Sequence, residues 1–253
     1  MDLLVVIAVI GALLALFLPA VNRAHEKSNR VVCANNLRQL AASTLAYAND
    51  SSTGRLTPDR YERRFIDAGP GQNWLWRYMT HGSGLPKMFF CPSTRQGHLL
   101  KLLHDPDGTL WYGDLMRSAD GRLAVHGCSY DTIPFFAELE NYWNGNSNAE
   151  RNSRAVPKTL PTINTYAHEH EAFGLKGRVP GPSAVWIYAD ASSWNPFQLY
   201  LPVSESNHGA EGQNVGFCDG HVQWVGRAQV VYSYELSQDN NRTRAYPRGH
   251  GPR

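Results

Sequence analysis

Residues 3–21 read LLVVIAVIGALLALFLPAV, and this stretch decides the fold of the chain. It holds no charged side chain, and as a helix rising about 1.5 Å per residue it would extend roughly 28 Å, close to the ~30 Å hydrocarbon core of a bilayer. A buried core helix would show a polar face at 3.6-residue spacing, whereas this stretch is apolar on all sides. We therefore predict a membrane-inserted helix, with a buried core helix or the apolar region of an uncleaved signal as the alternatives.

The sequence after Pro19 becomes amphipathic without any turn signal, so the helix is predicted to continue to about Asn49. Small and apolar residues recur at three- and four-residue spacing along one face: Cys33, Leu37, Leu40, Ala41, Thr44 and Ala48. Pro19 removes one backbone hydrogen bond and should bend the helix slightly. Residues 1–22 would then lie in lipid, and residues 23–50 would pack against a folded domain.

The rest of the chain has the composition of a folded, water-exposed domain, since the sequence is 42% hydrophobic and 18% charged with a net charge of +2. Seven Trp, twelve Tyr and 22 Gly favour β-structure and turns. We predict an α+β fold in which the long N-terminal helix packs on a mainly antiparallel β-sheet domain at residues 51–237. A polar surface insertion is expected at about 141–165 and a flexible tail at 238–253. The low net charge does not favour nucleic acid as a partner.

Several short patterns predict local structure within this domain. Residues 185–190, VWIYAD, indicate a strand, and residues 128–131, CSYD, begin another extended segment. The Asp-Gly pairs at 107–108 and 120–121 are typical of hairpin tips. Residues 88–93, MFFCPS, predict a short strand that enters a turn.

The four cysteines, Cys33, Cys91, Cys128 and Cys218, form no CxxC pair, so zinc-ribbon spacing is absent. An exported domain would form one or two disulfides, with three full connectivities that the spacing does not separate. The alternative is that the cysteines stay free and act as small buried apolar residues.

Residues 208–225, HGAEGQNVGFCDGHVQWV, predict a hairpin with a two-residue turn at Asp219-Gly220. This turn would pair Phe217 with Val222 and Val215 with Trp224 on a face that packs in the core. The opposite, more polar face would carry the residues between them: Gly216, Cys218, His221 and Gln223.

His208, Asp219 and His221, together with Asp190, offer the ligand types of a site for calcium or another divalent metal. The competing interpretation is that Asp219 serves the turn and the histidines bind loop groups. A hydrolase would use His221 as the base for Cys218 or for a metal-bound water, but no oxyanion hole or third orienting group is evident. We therefore expect neither catalysis nor a cofactor.

His168 and His170 flank Glu169 at alternate spacing. In a strand both rings would lie on one face, and a solvated strand end is the expected setting.

Residues 2–56 resemble the N-terminal segment of type IV pilin-like proteins and type II secretion pseudopilins, above all a prepilin-type group common in Planctomycetes-like bacteria. Asp2 stands where that family has Glu, and the LPA bend at Pro19 and the later NNLRQL also agree. The residues after the acidic position match in order: Leu3, Leu4, Val5, Val6, Ile7 and Ala8. The stretch containing His208, Asp219, Gly220 and His221 resembles the group's H-x9-DG element, lengthened here by one residue.

The resemblance implies a structural subunit of a filament or pseudopilus, with other pilin-like subunits and the membrane as partners. Its helices would bundle through their apolar faces, and Asp2 would pair with the terminal amine of a neighbouring subunit; a solvated interfacial carboxylate is the alternative. In the family a basic leader ending in Gly and a methylated Phe precede this stretch. We therefore expect the coding sequence to extend upstream of Met1, which would supply a site for prepilin peptidase.

The family's topology implies a single-pass inner-membrane protein whose globular domain lies on the periplasmic, outer side. Taken alone, Arg23, Lys27 and Arg30 after the helix favour a cytoplasmic C-terminus, and a basic leader would weaken that bias. The alternative function from another class is a membrane-anchored metal-binding hydrolase or ligand-binding domain that uses the pilin-like helix only for targeting.

Overall fold

A computed structural model describes residues 2–56, 87–93, 102–104, 110–112, 129–133, 135–136, 156–190, 202 and 206–239. The first element, helix α1, runs without interruption from Asp2 to Asp50 and contains Pro19. The predicted continuous helix is therefore confirmed. The Asp-Gly pair at 120–121 and most of the predicted insertion lie outside the described residues.

The two halves of α1 have different surroundings. The predicted packing face in the second half is buried, with exposed fractions of 0–1% at Cys33, Leu37, Leu40, Ala41, Thr44 and Ala48. The first half is uncovered, with Leu3 at 74% and Leu16 at 76% exposed. Within the described part of the chain, α1 is the one helix long and apolar enough to cross a membrane, and none of its most apolar window is buried.

A four-stranded antiparallel sheet forms the centre of the globular domain. Its strands lie in the order β3-β4-β5-β6, where β3 is Tyr130–Thr132, β4 is Trp186–Asp190, β5 is Gly212–Phe217 and β6 is Val222–Gly226. A separate two-stranded hairpin pairs β1, Leu102–His104, with β2, Leu110–Tyr112. The chain thus has the predicted α+β architecture, and the expected strand at 185–190 is confirmed. The short helix α2, Thr162–Thr165, lies outside the sheet.

Helices cover both faces of the sheet. The second half of α1 packs against Ile187, Tyr188 and Cys218. On the other face, Val230 and Tyr234 of helix α3, Arg227–Gln238, pack against Trp186 and the aliphatic residues of the strands. Between Trp186 and Tyr188 the pairing of β4 with β5 shifts register, as in a β-bulge. This irregularity lets the consecutive residues Ile187 and Tyr188 both belong to the core beside α1.

The β5–β6 hairpin forms, but the predicted register is wrong by one residue. Val215 pairs with Gln223 and Gly216 with Val222. The backbone N–H of Phe217 donates to the His221 carbonyl, and that of Gly220 donates to the Phe217 carbonyl. The connection therefore has three residues, with Gly220 in the left-handed region at φ +90°.

The shift in register moves side chains to the other face of the sheet. Val222 packs on the α1 side, whereas Val215 and Phe217 pack on the α3 side. The face that was predicted to be polar is covered by α1, so Gly216 and Cys218 are buried as fully as their neighbours.

Three other local predictions are wrong. Residues 87–89 form a 3-10 helix that buries Phe89, not a strand. The end of the predicted surface insertion is part of the core, because Pro157 and Thr159 form β-bridges and Lys158 is 1% exposed. The Lys158 Nζ donates to the Trp186 carbonyl at 2.7 Å. Gln238, assigned to the tail, is also buried; residues 240–253 lie outside the described chain.

Replacing Gly212 by Ala should lower the free energy of unfolding by about 1–3 kcal/mol, because a Cβ there overpacks a closed site. It would lie 2.5 Å from the Val225 carbonyl oxygen and 2.8 Å from the Trp224 ring. Chemical denaturation of the full chain in detergent would measure the change. Gly226→Ala is the matched control, since nothing lies within 4 Å of the point that a Cβ would occupy there. Equal effects of the two substitutions would contradict the packing described for Gly212.

Candidate functional site

The side chain of His208 joins α1 to the end of the sheet. His208 precedes the turn that leads into β5, and its side chain is completely buried. Its Nδ1 lies 2.7 Å from Oε1 of Glu26, a residue of α1. The other oxygen of Glu26 accepts a hydrogen bond from Ser93 Oγ at 2.7 Å. Burial alone would raise the pKa of Glu26, but the bonds from Ser93 and His208 outweigh it and lower that pKa, so this carboxylate is ionised.

Asp190 lies on the other side of the His208 ring, at the C-terminal end of β4. Its Oδ2 is 3.4 Å from His208 Nε2 and accepts a hydrogen bond from the Asn214 backbone N–H at 2.7 Å. The residue is 2% exposed. Burial raises the pKa of Asp190 to about 6, against the opposing effects of His208 and of the Asn214 bond. Two carboxyl groups on different elements therefore share one histidine.

A disulfide between Cys33 and Cys91 lies beside the same histidine. Cys33 belongs to α1, and Cys91 follows the 3-10 helix at 87–89, so the bond fastens α1 covalently to the domain. The His208 Nε2 lies 3.4 Å from the sulfur of Cys91. The structure therefore contains one of the disulfides that the sequence left open, and Cys218 is a free, buried cysteine. Cys128 lies outside the described residues.

Arg30 forms the outer edge of this site. Its guanidinium donates to Glu211 Oε2 at 2.6 Å, lies 3.3 Å from Glu26 and stacks 4.2 Å above the centre of the Trp224 ring. The Arg30 backbone carbonyl accepts a hydrogen bond from the Asn214 side chain at 3.2 Å. We call the set of Glu26, Arg30, Cys33, Cys91, Asp190 and His208 the helix-docking cluster.

The four predicted metal ligands form two separate pairs. His208 and Asp190 meet in the helix-docking cluster. Asp219 and His221 bind each other at 2.5 Å at the hairpin tip, where both side chains are about one third or more exposed. That tip lies beside Leu45 of α1, about nineteen residues and roughly 28 Å along the helix from Glu26. The four residues therefore do not share one site.

The arrangement needed for a Cys218 nucleophile does not form either. The Cys218 thiol faces the Trp186 carbonyl at 3.9 Å, and burial raises its pKa to about 12. The His221 ring instead stacks on Phe217, with 4.2 Å between ring centres.

A second buried polar cluster closes the C-terminal end of α3. Asp239 has φ +50° and is 2% exposed, and its carboxylate accepts hydrogen bonds from the Tyr166 hydroxyl at 2.6 Å and from the Glu169 backbone N–H at 2.8 Å. His168 and His170 both turn a ring nitrogen towards Oδ1 of Asp239, at 3.2 and 3.1 Å. The solvated setting expected for this histidine pair is therefore wrong for His168, which is 3% exposed.

Both ring nitrogens of His168 face hydrogen-bond acceptors, namely the Asp239 carboxylate and, at 2.9 Å, the Leu236 carbonyl. Only the protonated ring can donate to both. Burial acts to lower the pKa of His168, and the bonds to Asp239 and Leu236 outweigh burial and raise it.

The stability that His168 contributes should consequently depend on pH. The contribution is complete below the unfolded-state pKa of about 6.5 and is lost as pH rises through the higher folded-state pKa. Asp239→Asn keeps the shape and tolerates the left-handed backbone, but it should flatten this decline in unfolding free energy above about pH 6.5. Denaturation of the wild type and the variant at a series of pH values tests this. An unchanged decline in the variant would show that another group is responsible.

Comparisons with protein-family models, with curated proteins and with solved structures find no match for this chain.

Proposed function

We propose that the chain is a structural subunit of a type IV pilus-like filament or type II secretion pseudopilus and that it assembles through the first half of α1. One observation carries this proposal: a single continuous helix is fastened to its domain along one half and uncovered along the other. The proposal assigns no enzymatic activity to the chain. For a chain with a leader upstream of Met1, it includes processing by prepilin peptidase and methylation of the resulting N-terminus.

The uncovered half of α1 needs an apolar environment. Twelve of its large apolar residues are at least half exposed: Leu3, Val5, Val6, Ile7, Val9, Ile10, Leu13, Leu14, Leu16, Phe17, Leu18 and Val21. A contiguous apolar surface of this kind marks contact with lipid or with another protein. The proposed subunit makes both contacts, one after the other. Its helix contacts lipid while the subunit is in the membrane and contacts the helices of neighbouring subunits after assembly.

The docked half of α1 supports the mechanical side of the proposal. A filament transmits load from the helix bundle to the outer domains through the junction within each subunit. Here that junction combines the Cys33–Cys91 disulfide, the Glu26–His208 pair and the buried apolar face of α1. Each of these contacts opposes separation of the domain from the helix.

The disulfide also supports an outer location for the domain, because disulfides persist in oxidising compartments. Of the three basic residues that follow the apolar stretch, Arg30 is engaged by Glu26 and Glu211. We propose a single-pass inner-membrane precursor with its domain on the periplasmic side.

Asp2 offers the sharpest test, because its carboxylate is proposed to pair with the terminal amine of a neighbouring subunit. Asp2→Asn should leave the chain in the membrane fraction but abolish filaments or pseudopili in cells that depend on this gene. Asp2→Glu keeps the negative charge that Asp2→Asn removes, and this variant should assemble like the wild type. Membrane fractionation, surface shearing and electron microscopy would be compared for the two variants and the wild type.

Normal assembly by the Asp2→Asn variant would contradict the proposed role of Asp2. If deletion of the whole gene leaves surface structures and secreted proteins unchanged, the assembly function itself is wrong, and an anchored binding domain becomes the better interpretation.

A further inference from the structure

The centre of the helix-docking cluster contains four metal-ligating atoms. The sulfurs of Cys33 and Cys91, a ring nitrogen of His208 and a carboxylate oxygen of Asp190 all lie within 4.8 Å of one another, and all four residues are buried. In a tetrahedral zinc site with bonds of about 2.0–2.3 Å, neighbouring ligand atoms are roughly 3.3–3.8 Å apart. The His208 Nε2 lies 3.4 Å from Cys91 Sγ and 3.4 Å from Asp190 Oδ2, so both separations fall within that range.

The orientation of the His208 ring suits metal binding. The Glu26 carboxylate lies 2.7 Å from His208 Nδ1 and also accepts a hydrogen bond from Ser93, so it is placed to accept an N–H from the His208 ring at Nδ1. In the neutral ring the lone pair then lies on Nε2, which faces the sulfurs and Asp190. In zinc sites the ring nitrogen of a histidine ligand that does not bind the metal commonly donates a hydrogen bond to a carboxylate.

Asp190 supplies an independent indication. Its Oδ1 is buried and has no hydrogen-bond partner among the residues that the structure describes. Buried carboxylate oxygens are rarely left in this state, because the loss of water is then uncompensated. A cation bound at the centre of the cluster would compensate it.

We propose that the chain with Cys33 and Cys91 reduced binds one Zn²⁺ through both thiolates, His208 Nε2 and the Asp190 carboxylate, and that disulfide formation expels this ion. The thiolates select a soft, thiophilic divalent metal such as zinc over calcium. The proposal is independent of filament assembly. It implies that metal holds α1 to the domain before the disulfide does.

The disulfide-bonded and zinc-bound forms interconvert through thiol–disulfide exchange. A dithiol reductant gives two electrons and two protons to the Cys33–Cys91 bond and becomes a disulfide itself. Binding of Zn²⁺ then releases one proton from each cysteine thiol. In the reverse direction, a disulfide oxidant takes two electrons from the thiolates, is reduced to a dithiol with protons from solvent, and Zn²⁺ leaves.

A surface cleft gives access to the cluster from one side. It has a volume of about 390 Å³ and is lined by three residues of α1 and four from the segment after Lys87: Val32, Asn36, Gln39, Met88, Phe90, Cys91 and Pro92. The cleft therefore brings small reductants and hydrated ions next to Cys91 without separation of α1 from the sheet.

Metal titration of the full chain in detergent tests the proposal. A phosphine reductant opens the disulfide, with water supplying the oxygen of the phosphine oxide, and leaves no free dithiol to compete for metal. After its anaerobic removal, native mass spectrometry should show one Zn²⁺ per reduced chain and none per oxidised chain. Co²⁺ should give thiolate-to-metal charge-transfer absorption and tetrahedral ligand-field bands in the reduced chain alone.

Variants identify the ligands. Glu26→Gln keeps all four ligands but disturbs the His208 ring, and it should weaken Zn²⁺ binding about 10–100-fold. Cys33→Ser/Cys91→Ser and His208→Ala should abolish the cobalt signature, with circular dichroism to confirm folding. His221→Ala, the matched histidine control, should bind like the wild type. The proposal is overturned if the reduced chain binds no Zn²⁺, or if His221→Ala and Glu26→Gln weaken binding equally.

Discussion

Loss of the Cys33–Cys91 disulfide is expected to lower the free energy of unfolding of the domain by about 4 kcal/mol, because the bond closes a long loop in the unfolded chain. Its cysteines are 58 residues apart. The Cys33→Ser/Cys91→Ser double variant removes the bond while both positions keep small side chains. Denaturation of the full chain in detergent, followed by tryptophan fluorescence with a metal chelator present, would measure the loss.

Reductant provides the control for this prediction. Added to the wild type, it should lower the stability to that of the double variant, and added to the double variant it should have little effect. If the double variant is as stable as the oxidised wild type, the disulfide does not hold α1 on the domain. Zn²⁺ in place of the chelator should recover part of the loss in the reduced wild type and none in the double variant.

His208→Gln is expected to destabilise the domain by about 3 kcal/mol, because it removes the central partner of a buried charged cluster and costs the carboxyl groups of Glu26 and Asp190 one partner each. The His208 side chain is fully buried between the carboxyl groups of Glu26 and Asp190. Glutamine cannot donate to Glu26 while it also fills the space beside Asp190 and Cys91. Equilibrium denaturation of the oxidised full chain would measure the change.

His221→Gln is the matched control for that substitution. His221 also pairs with an aspartate, but its side chain is 40% exposed and that of Asp219 is 34% exposed. Exposed ion pairs contribute about 0–1 kcal/mol, so this variant should remain close to the wild type. A larger loss from His221→Gln than from His208→Gln would contradict the central position of His208 in helix docking.

The long helix could be predicted because every part of it is encoded locally. An uncharged apolar run marks its first half, and three- and four-residue spacing from Cys33 to Ala48 marks the buried face of its second half. The strand at 186–190 and the hairpin after Gly212 follow from equally local patterns. These patterns do not predict the register of β5 against β6, because the register depends on the left-handed backbone at Gly220 in the connecting turn.

The helix-docking cluster could be predicted only in part. The sequence singled out His208 and Asp190 by their chemistry, but Glu26 lies 182 residues from His208 and looks like an ordinary polar residue of an amphipathic helix. Nothing local distinguishes Cys33–Cys91 from the other pairings. Such contacts are set by the packing of α1 across the sheet, which depends on the whole fold. For the same reason the local sequence predicts Lys158 and His168 at the surface, whereas the structure buries both.

Photo-cross-linking in intact membranes tests assembly through α1 most directly. A photoreactive amino acid replaces Leu13 in the full chain, and the control chain carries it at Lys176, an exposed residue on the domain. We predict that irradiation of assembling cells joins subunits through position 13, giving dimers and higher oligomers on denaturing gels, with much weaker linkage from position 176. Lipid adducts alone at position 13, with the chain remaining monomeric in cells that form filaments, would contradict assembly through the helix.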